Sequence, residues 1–352
     1  SSQFYYNYLR SMEENKILIS VVISLYNKAH TIVETLNTVL TQTFNQFEVV
    51  IVDDGSTDDG VLKIQENFND DRIKIIRQEN AGVSSARNKG VEHSEGAYIA
   101  FMDADDKWHE DYLLIMSRAI HMYPQAVMYS SGGICTNVDN TDLSYRLCNK
   151  YLNKILKVDY FENPFVFSHT SSTVVKKEVF LESCKFPTGM KCLEDFALFY
   201  DIALRGDFVY IGLPISKYVG GVEGQITASS PEKRFSFMPS VVHFYNMTFE
   251  TYLKKYRKDK NFKLYFKYDL RHRIKCYLYN EDEKWIDFFL ANVDKKALSV
   301  LLFFELLLYK NKLKKLSFLW INMTKVIWRM HKFPVVGESV EARLIDKKYR
   351  VW

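Results

Sequence analysis

The stretch YIAFMDADD, residues Tyr98–Asp106, decides the fold. Its apolar half, Tyr98–Met102, predicts a central strand of a parallel sheet, because such strands are covered on both faces and read as apolar runs. Its acidic half places Asp103, Asp105 and Asp106 directly after that strand. Functional groups of open α/β sheets gather beyond the carboxyl ends of the strands. Carboxylates there suit a hard divalent cation that also binds substrate phosphates, although a solvated acidic turn explains them equally well.

Composition indicates a folded chain of one large or two modest domains, with 352 residues of which 47% are apolar and 15% aromatic. The net charge of +4 is uneven, since the acidic motifs lie early in the chain and Lys and Arg concentrate after Arg234. The five cysteines show no CxxC spacing, which argues against a disulfide scaffold or a zinc site. We expect no signal peptide before the first strand. The apolar run Val300–Tyr309 is interrupted by Glu305 and is too short to span a bilayer.

Strands and helices alternate through the first part of the chain, which predicts βαβ units and a mostly parallel sheet. The apolar and β-branched runs predict six strands, at Ile17–Ser24, Phe47–Val52, Ile73–Ile76, Tyr98–Met102, Ala126–Ser130 and Ser172–Val175. Apolar residues at helical spacing predict helices at Thr31–Thr41, around Ser84–Val91 and at Glu194–Arg205.

Five segments occur in a fixed order: SVVISLYN at Ser20–Asn27, VDDGSTD at Val52–Asp58, NAGVSSARNKG at Asn80–Gly90, GAYIAFMDADD at Gly96–Asp106 and LEDFALFYDIALRG at Leu193–Gly206. With these segments the chain resembles the inverting, nucleotide-sugar-dependent glycosyltransferases of the GT-A fold, of the family 2-like, non-processive bacterial type. The resemblance implies an α/β fold, a Rossmann-like, mostly parallel sheet flanked by helices, with an α-helical C-terminal region. We predict an extension at 1–16, a catalytic domain at 17–232 and a basic, aromatic helical region at 233–352.

Candidate donor-binding residues follow the first two strands. A carboxylate at Asp54 can accept a hydrogen bond from a uracil N–H or a ribose hydroxyl, and helix capping is its alternative role. Ser24 and Tyr26 leave the first strand at the same edge, where they could bracket a base, although a plain strand-end tyrosine fits as well. Arg87 suits a diphosphate or an ion pair with Asp103.

The resemblance also implies roles for the acidic residues. The matching Asp54 binds the nucleotide base, Asp103 faces the ribose and donor sugar, and Asp105 holds Mn²⁺ or Mg²⁺. Asp195, in the Glu-Asp pair at a helix start, matches the catalytic base, and we expect the helix N-terminus to keep it ionised at neutral pH.

Two further residues have weaker assignments. Glu194 is a candidate acceptor contact or an ordinary first-turn acid. His169, in the segment SHTSSTVV, is a candidate for the metal shell or the acceptor, with a packed or surface histidine as the more frequent case.

The last third differs from the rest, because Gly and Pro nearly vanish. Tyr252–Lys275 carries ten Lys or Arg against two acids, and the aromatics Phe318, Trp320 and Trp328 follow beside further lysines. Basic and aromatic helices favour contact with an anionic membrane, while a packed helical cap or a homo-oligomer interface explains the same pattern. No recognition motif supports nucleic-acid binding.

These observations predict a metal-dependent inverting glycosyltransferase that moves one sugar from a nucleoside diphosphate to a hydroxyl of a glycan or lipid-linked glycan acceptor. We expect the nucleoside diphosphate to be UDP. The QxxRW motif of processive synthases is absent from the sequence, so we expect single-sugar transfer. The expected setting is bacterial surface polysaccharide synthesis (lipopolysaccharide or capsule), in the cytoplasm and peripheral at the inner face of the membrane. The alternatives are a catalytically inactive glycan-binding scaffold of the same fold and a nucleotidyltransferase.

Overall fold

The computed structural model describes residues 19–141, 143–223, 225, 230–256, 258–327 and 342–349. The predicted extension at 1–16 lies outside these residues, as does Trp328 of the predicted basic tail. In the described part, the sheet has ten strands in the order β3-β2-β1-β4-β9-β6-β10-β5, with β7 paired to β6 and β8 paired to β10. The strands are β1 Ile19–Leu25, β2 Phe47–Asp53, β3 Ile73–Arg77, β4 Tyr98–Asp103, β5 Lys107–Trp108, β6 Met128–Asn137, β7 Leu143–Arg146, β8 Ile155–Val158, β9 Thr173–Lys176 and β10 Phe208–Gly220.

The register of β1 places the functional motifs at one edge of the sheet. This strand runs parallel to β2 and β4, with Leu25 opposite Asp53 and Ser24 opposite Asp103. All three strands are almost continuously buried, as their apolar sequences predict. Because parallel strands end on the same side, the residues that follow them meet beyond this edge.

The predicted fold class is confirmed, although the sheet is more mixed than expected. Strands β3, β2, β1 and β4 are parallel, whereas β9 is antiparallel to both β4 and β6. The sequence Thr173–Lys176 reads as a strand but contains nothing that fixes its direction. The return of the chain through the buried turn Thr170–Ser172 decides it.

Helices flank the sheet and then form the C-terminal region. They are α1 Ile32–Leu40, α2 Gly60–Asn67, α3 Val83–Glu92, α4 Tyr112–Met122, α5 Pro164–Phe167, α6 Lys177–Glu182, α7 Glu194–Ala203, α8 Pro231–Phe235, α9 Met238–Thr251, α10 Lys260–Asn280, α11 Glu283–Asn292, α12 Lys295–Leu298, α13 Phe303–Lys310 and α14 Lys314–Ile327. Helix α3 lies directly on β1, since a Cβ atom at Gly90 would come 2.4 Å from Val22 Cγ1. Glycine permits this close approach, which carries α3 to the functional edge.

The aromatic side chains of the C-terminal helices are mostly buried. Phe262 and Tyr265 of α10 pack on Phe161 and on Tyr200 of α7, with Phe161 and Phe262 ring centroids 4.8 Å apart. The basic, aromatic pattern of Tyr252–Lys275 therefore encodes a packed helix, one of the alternatives to a membrane-facing one. The proposed division at 232/233 falls between β10 and α8 and stays a prediction.

Residues 342–349 return to the sheet region, although the prediction placed them in the helical region. Asn153 donates a hydrogen bond to the carbonyl of Leu344 at 3.1 Å, and Lys348 pairs with Asp111.

Candidate active site

A pocket of about 510 Å³ lies beyond the ends of β1, β2 and β4. Nearly all the predicted site residues line it: Ser24, Tyr26, Asp54, Arg87, Asp103, Asp105, Glu194 and Asp195. Tyr26 is 48% exposed, so its ring is available at the pocket rim. These residues come from five segments of the chain, which are the ends of β1, β2 and β4 and the helices α3 and α7.

Arg87 connects two of the acidic segments. From the buried face of α3 its guanidinium donates to Asp103 Oδ1 at 2.7 Å and to Glu194 Oε1 at 3.1 Å. Burial opposes the charge, but these two carboxylates outweigh it and raise the pKa of Arg87. The predicted ion pair with Asp103 is present. Arg87 also fixes the start of α7, which the sequence did not indicate.

Asp105 receives its contacts from residues that sequence reasoning did not assign to the site. Lys28 Nζ lies 2.8 Å from Asp105 Oδ2 and also donates to the carbonyl of Glu223 at 2.9 Å. Gln225 Nε2 lies 3.3 Å from the same Asp105 oxygen and donates to the carbonyl of Val219 at 2.7 Å. The turn after β1 and the chain after β10 therefore meet at this carboxylate.

Asp106 is the buried member of the acidic cluster. Its Oδ2 accepts a hydrogen bond from Ser171 Oγ at 2.6 Å, and Ser171 Oγ in turn accepts one from the backbone N–H of Asp103 at 3.0 Å. Burial, together with the nearby charges of Asp103 and Asp105, raises the pKa of Asp106 well above its ordinary value. We assign Asp106 to holding the acidic turn in shape, since it is 1% exposed.

Asp54 holds the loop that leads into α3. Its Oδ1 accepts hydrogen bonds from Gln78 Nε2 at 2.7 Å and from the backbone N–H of Ala81 at 2.9 Å, and its Oδ2 accepts one from the N–H of Gly82 at 2.9 Å. This role differs from both predicted ones, because the bonded segment precedes α3, not the helix that follows Asp54. Oδ1 already accepts two hydrogen bonds, but Oδ2 accepts one and has a second lone-pair direction, so contact with a nucleotide stays a prediction.

Asp195 stands in the first turn of α7, next to a strained residue. Leu193, which precedes the helix, has a left-handed φ of 64°. Burial, reinforced by the charge of Glu194 and opposed by Arg87, raises the pKa of Asp195 to about 7. The sequence predicts an ionised Asp195 at neutral pH, whereas in the structure burial outweighs Arg87 and the N–H of Phe196, both of which lower the pKa. A carboxyl group with a pKa near 7 is suited to general-base chemistry.

His169 lies behind the pocket wall, whereas its neighbour Thr170 lines the pocket. Burial and the nearby Arg146 lower its pKa well below the usual value, so the imidazole is neutral. A Cβ atom added to Gly133 would lie 3.4 Å from the ring, which shows how closely β6 packs on it. This environment matches the packed histidine of the prediction.

A divalent cation fits the chemistry of the pocket. Asp105 and Asp103 supply hard oxygen atoms at the edge of the pocket. The described residues contain no group of three or more His, Cys, Asp or Glu arranged for a metal ion. Mg²⁺ sites of this kind need only one or two protein carboxylates, with substrate phosphate completing the shell.

The pocket-lining residues that sequence reasoning did not single out include Lys28, Gln225, Thr170 and Tyr218. Lys28 follows Tyr26 within the polar turn after β1, and that proximity was the available signal. Gln225 and Tyr218 lie more than a hundred residues from Asp103 and Asp105, so no local pattern connects them to that acidic turn.

The sheet order, the pocket position and the acidic edge are those of the GT-A fold. The sequence model for glycosyl transferase family 2 matches residues 20–182. This segment carries β1 to β9, and the match confirms the predicted resemblance.

Curated relatives share parts of the same region. The chain is 33% identical over 147 residues to the glycosyltransferase GlyA of Streptococcus pneumoniae, 41% of this chain and 21% of GlyA. It is 43% identical over 101 residues to TuaG of Bacillus subtilis, described as a teichuronic acid biosynthesis glycosyltransferase, 28% of this chain and 40% of TuaG. It is 40% identical over 92 residues to WfgD of Escherichia coli, a UDP-Glc:α-D-GlcNAc-diphosphoundecaprenol β-1,3-glucosyltransferase, 26% of this chain and 36% of WfgD. The match spans less than half the length of each relative.

A solved structure shows the same fold over more of the chain. Residues 1–349 of TarS from S. aureus, crystallised with UDP-GlcNAc, superpose with a TM-score of 0.61, and the match covers 85% of this chain and 89% of that one. The sequence identity is 17%, so this likeness shows the fold alone. In the described residues, no helix is long and apolar enough to cross a membrane.

Proposed function

We propose that this chain is a metal-dependent inverting glycosyltransferase that moves one sugar from a nucleoside diphosphate sugar, UDP-linked, to an acceptor hydroxyl. One observation carries the proposal. Asp195, with a pKa raised to about 7, faces the same pocket as Asp103 and Asp105 at the strand ends. One pocket thus combines a tuned base with a carboxylate pair suited to a metal-bound diphosphate.

The donor half of the reaction falls to the strand-end residues. When bound, a Mn²⁺ or Mg²⁺ ion held by Asp105 supplies positive charge beside the departing nucleoside diphosphate. Arg87 holds Asp103 in place toward the donor sugar, and Asp54 keeps the loop Ala81–Gly82 against the pocket. Ser24 and the exposed ring of Tyr26 are assigned to the base, by hydrogen bonding and stacking.

The acceptor half falls to Asp195. An inverting transfer needs a base on the face opposite the leaving group, within hydrogen-bond reach of the acceptor hydroxyl. Asp195 Oδ1 accepts the N–H of Phe196 at 2.8 Å, so we assign Oδ2 to the acceptor proton. Glu194 binds Arg87, which makes it a positioning residue in this scheme.

The acceptor and setting are proposed from the relatives. TuaG and WfgD are named for teichuronic acid synthesis and for transfer onto a sugar-diphosphoundecaprenol. We therefore propose a glycan or lipid-linked acceptor in bacterial surface polysaccharide synthesis.

The decisive experiment is release of the nucleoside diphosphate from a panel of UDP-, GDP- and dTDP-sugars, with Mn²⁺, with Mg²⁺ or with EDTA. We expect metal-dependent turnover of a UDP-sugar that is lost in Asp105→Ala. The control Asp71→Ala removes an acidic side chain near β3 and away from the pocket, and it should leave turnover unchanged. Failure of every donor to bind or react with any metal would favour the inactive scaffold, and nucleotide transfer without sugar transfer would favour the nucleotidyltransferase.

A further inference from the structure

Exposed apolar side chains are concentrated on one small part of the molecule. Eighteen large hydrophobic residues are exposed in the described chain, and half of them fall between residues 302 and 323. These nine are Leu302, Phe303, Phe304, Leu307, Leu313, Leu316, Phe318, Leu319 and Met323. Scattered exposed hydrophobic residues are ordinary, but a contiguous apolar patch marks an interaction site.

The nine residues lie on α13 and α14 or directly beside them, and the exposed apolar surface of this helix pair is here called the apolar face. On α13, Phe303 and Leu307 are one turn apart, and Phe303 is 79% exposed. On α14, the exposed positions Leu316, Leu319 and Met323 follow helical spacing. Phe304 joins the two helices, because its ring meets that of Trp320 at a centroid distance of 4.4 Å.

The opposite sides of both helices are anchored in the protein. Tyr309 of α13 and Ile321 of α14 are buried in the main core. Glu305 is fully buried and is bound by Arg271 of α10. The helices are therefore folded and fixed, and the apolar face is their outward side.

The charge around the apolar face is positive. Lys310, Lys314 and Lys315 are exposed around the turn between the two helices. The remaining lysine there, Lys312, is paired with Glu283 at 3.1 Å and Asp287 at 3.0 Å. Residues 302–323 contain a single acid, the buried Glu305. Phosphate headgroups would complement such a rim, whereas a second copy of the same face would bring like charges together.

We propose that the apolar face of α13 and α14 docks the protein on an anionic lipid bilayer, with its phenylalanine and leucine side chains inserted and its lysines on the headgroups. A rigid amphipathic helix pair that lies in the interface has this composition. The proposal does not depend on the proposed reaction, because docking needs neither donor nor metal.

The test is co-sedimentation of the full chain with vesicles, without donor. Vesicles of phosphatidylcholine alone are compared with vesicles that contain about a third phosphatidylglycerol, at low and high salt. We expect binding to the anionic vesicles that weakens at least tenfold in Phe303→Ser with Leu307→Ser. The matched control, Leu62→Ser with Met122→Ser, removes two exposed apolar side chains from the sheet region and should bind like the wild type.

The electrostatic part has its own pair of variants. Lys314→Glu with Lys315→Glu should weaken anionic-vesicle binding at least tenfold, since each basic residue near the surface contributes about fivefold. Lys154→Glu with Lys157→Glu, an equal charge change on another exposed surface, should have a much smaller effect. Thermal unfolding of all four variants controls for folding.

Two results would overturn the proposal. One is a wild-type protein that fails to bind either vesicle, which would mean that another segment covers the face. The other is self-association, seen by light scattering and abolished by Phe303→Ser with Leu307→Ser, without vesicle binding. That outcome would assign the face to a second copy.

Discussion

Two buried arginines organise two different regions of the molecule. Arg271 pairs with one carboxylate, whereas Arg87 pairs with two. In the helical region, Arg271 Nη2 donates to Glu305 Oε2 at 2.8 Å, and Tyr309 Oη donates to Glu305 Oε1 at 2.7 Å. Arg271 and Glu305 are fully buried, and their charges balance within a pair that solvent does not reach. In the sheet region, Arg87 faces two carboxylates and opens on a pocket, where Asp103 is 31% exposed.

The difference separates a structural ion pair from a functional one. Around the pocket, five carboxyl groups lie near three cations: Asp103, Asp105, Asp106, Glu194 and Asp195 beside Lys28, Arg87 and Arg146. Burial first, and the neighbouring carboxylates second, raise the pKa values of Asp106 and Asp195. Arg271, by contrast, lowers the pKa of Glu305 despite its burial. A bound cation could neutralise the carboxylates that lack a positively charged partner in the pocket.

The largest effect is expected for the closed pair. Arg271→Met leaves a buried carboxylate without its partner and should lower the free energy of unfolding by about 3–5 kcal/mol, measured by urea denaturation. The double variant Arg271→Met with Glu305→Leu should regain most of that loss. The control Arg72→Met breaks the partly exposed pair with Asp70 and should cost about 1 kcal/mol or less. If Arg271→Met and the wild type were equally stable, the Arg271–Glu305 pair would not be a structural ion pair.

In the pocket, Asp195→Asn is expected to lower the rate of sugar transfer and to leave folding unchanged. Loss of the general base should lower kcat at least ~100-fold, while donor affinity changes little. The measurement is sugar transfer beside calorimetric binding of UDP. Asp201→Asn is the matched control on the same helix, since Asp201 binds Arg205 and the N–H of Cys184, away from the pocket. Full transfer activity in Asp195→Asn would exclude it as the base.

The pH profile should report the open site directly. Burial and Glu194 raise the pKa of Asp195 to about 7, and only the deprotonated form accepts a proton. Activity should therefore rise about tenfold per pH unit below pH 7 and level off above it. Glu194→Gln removes a like charge, which lowers the pKa of Asp195 and moves this limb to lower pH. A flat kcat/KM between pH 5 and 9 would contradict the assignment.

The smallest effect concerns Lys28, which competes with a cation for Asp105. Lys28→Met should tighten Mn²⁺ binding by about fivefold without donor, because the paired ammonium no longer has to be displaced. Calorimetric titration with Mn²⁺ measures this. Lys63→Met, which removes the surface partner of Asp59, is the control. Unchanged or weaker Mn²⁺ binding in Lys28→Met would show that Lys28 does not oppose the metal.

Much of the sheet could be predicted because its signals are local. The run Tyr98–Met102 and the acids after it locate β4 and the pocket edge without any partner. The contacts that tune the site are not local, since Arg87 reaches Glu194 and Lys28 reaches Asp105 only through the fold. Burial is also not local. The basic, aromatic pattern of Tyr252–Lys275 is compatible with a membrane-facing helix and with a packed one, and only the fold shows that its aromatic side chains are buried in the core.

The left-handed backbone at Leu193 has a consequence for the choice of variants around the site. With φ at 64°, a side chain branched at Cβ meets the backbone most severely, while Asn and Gly adopt this region with least strain. The exchange that a substitution table calls mild, Leu to Ile, is thus the damaging one at this position. Leu to Asn, which such a table penalises, suits the backbone of the turn that precedes Asp195. A variant library built on chemical similarity would discard the tolerated residue and retain the harmful one.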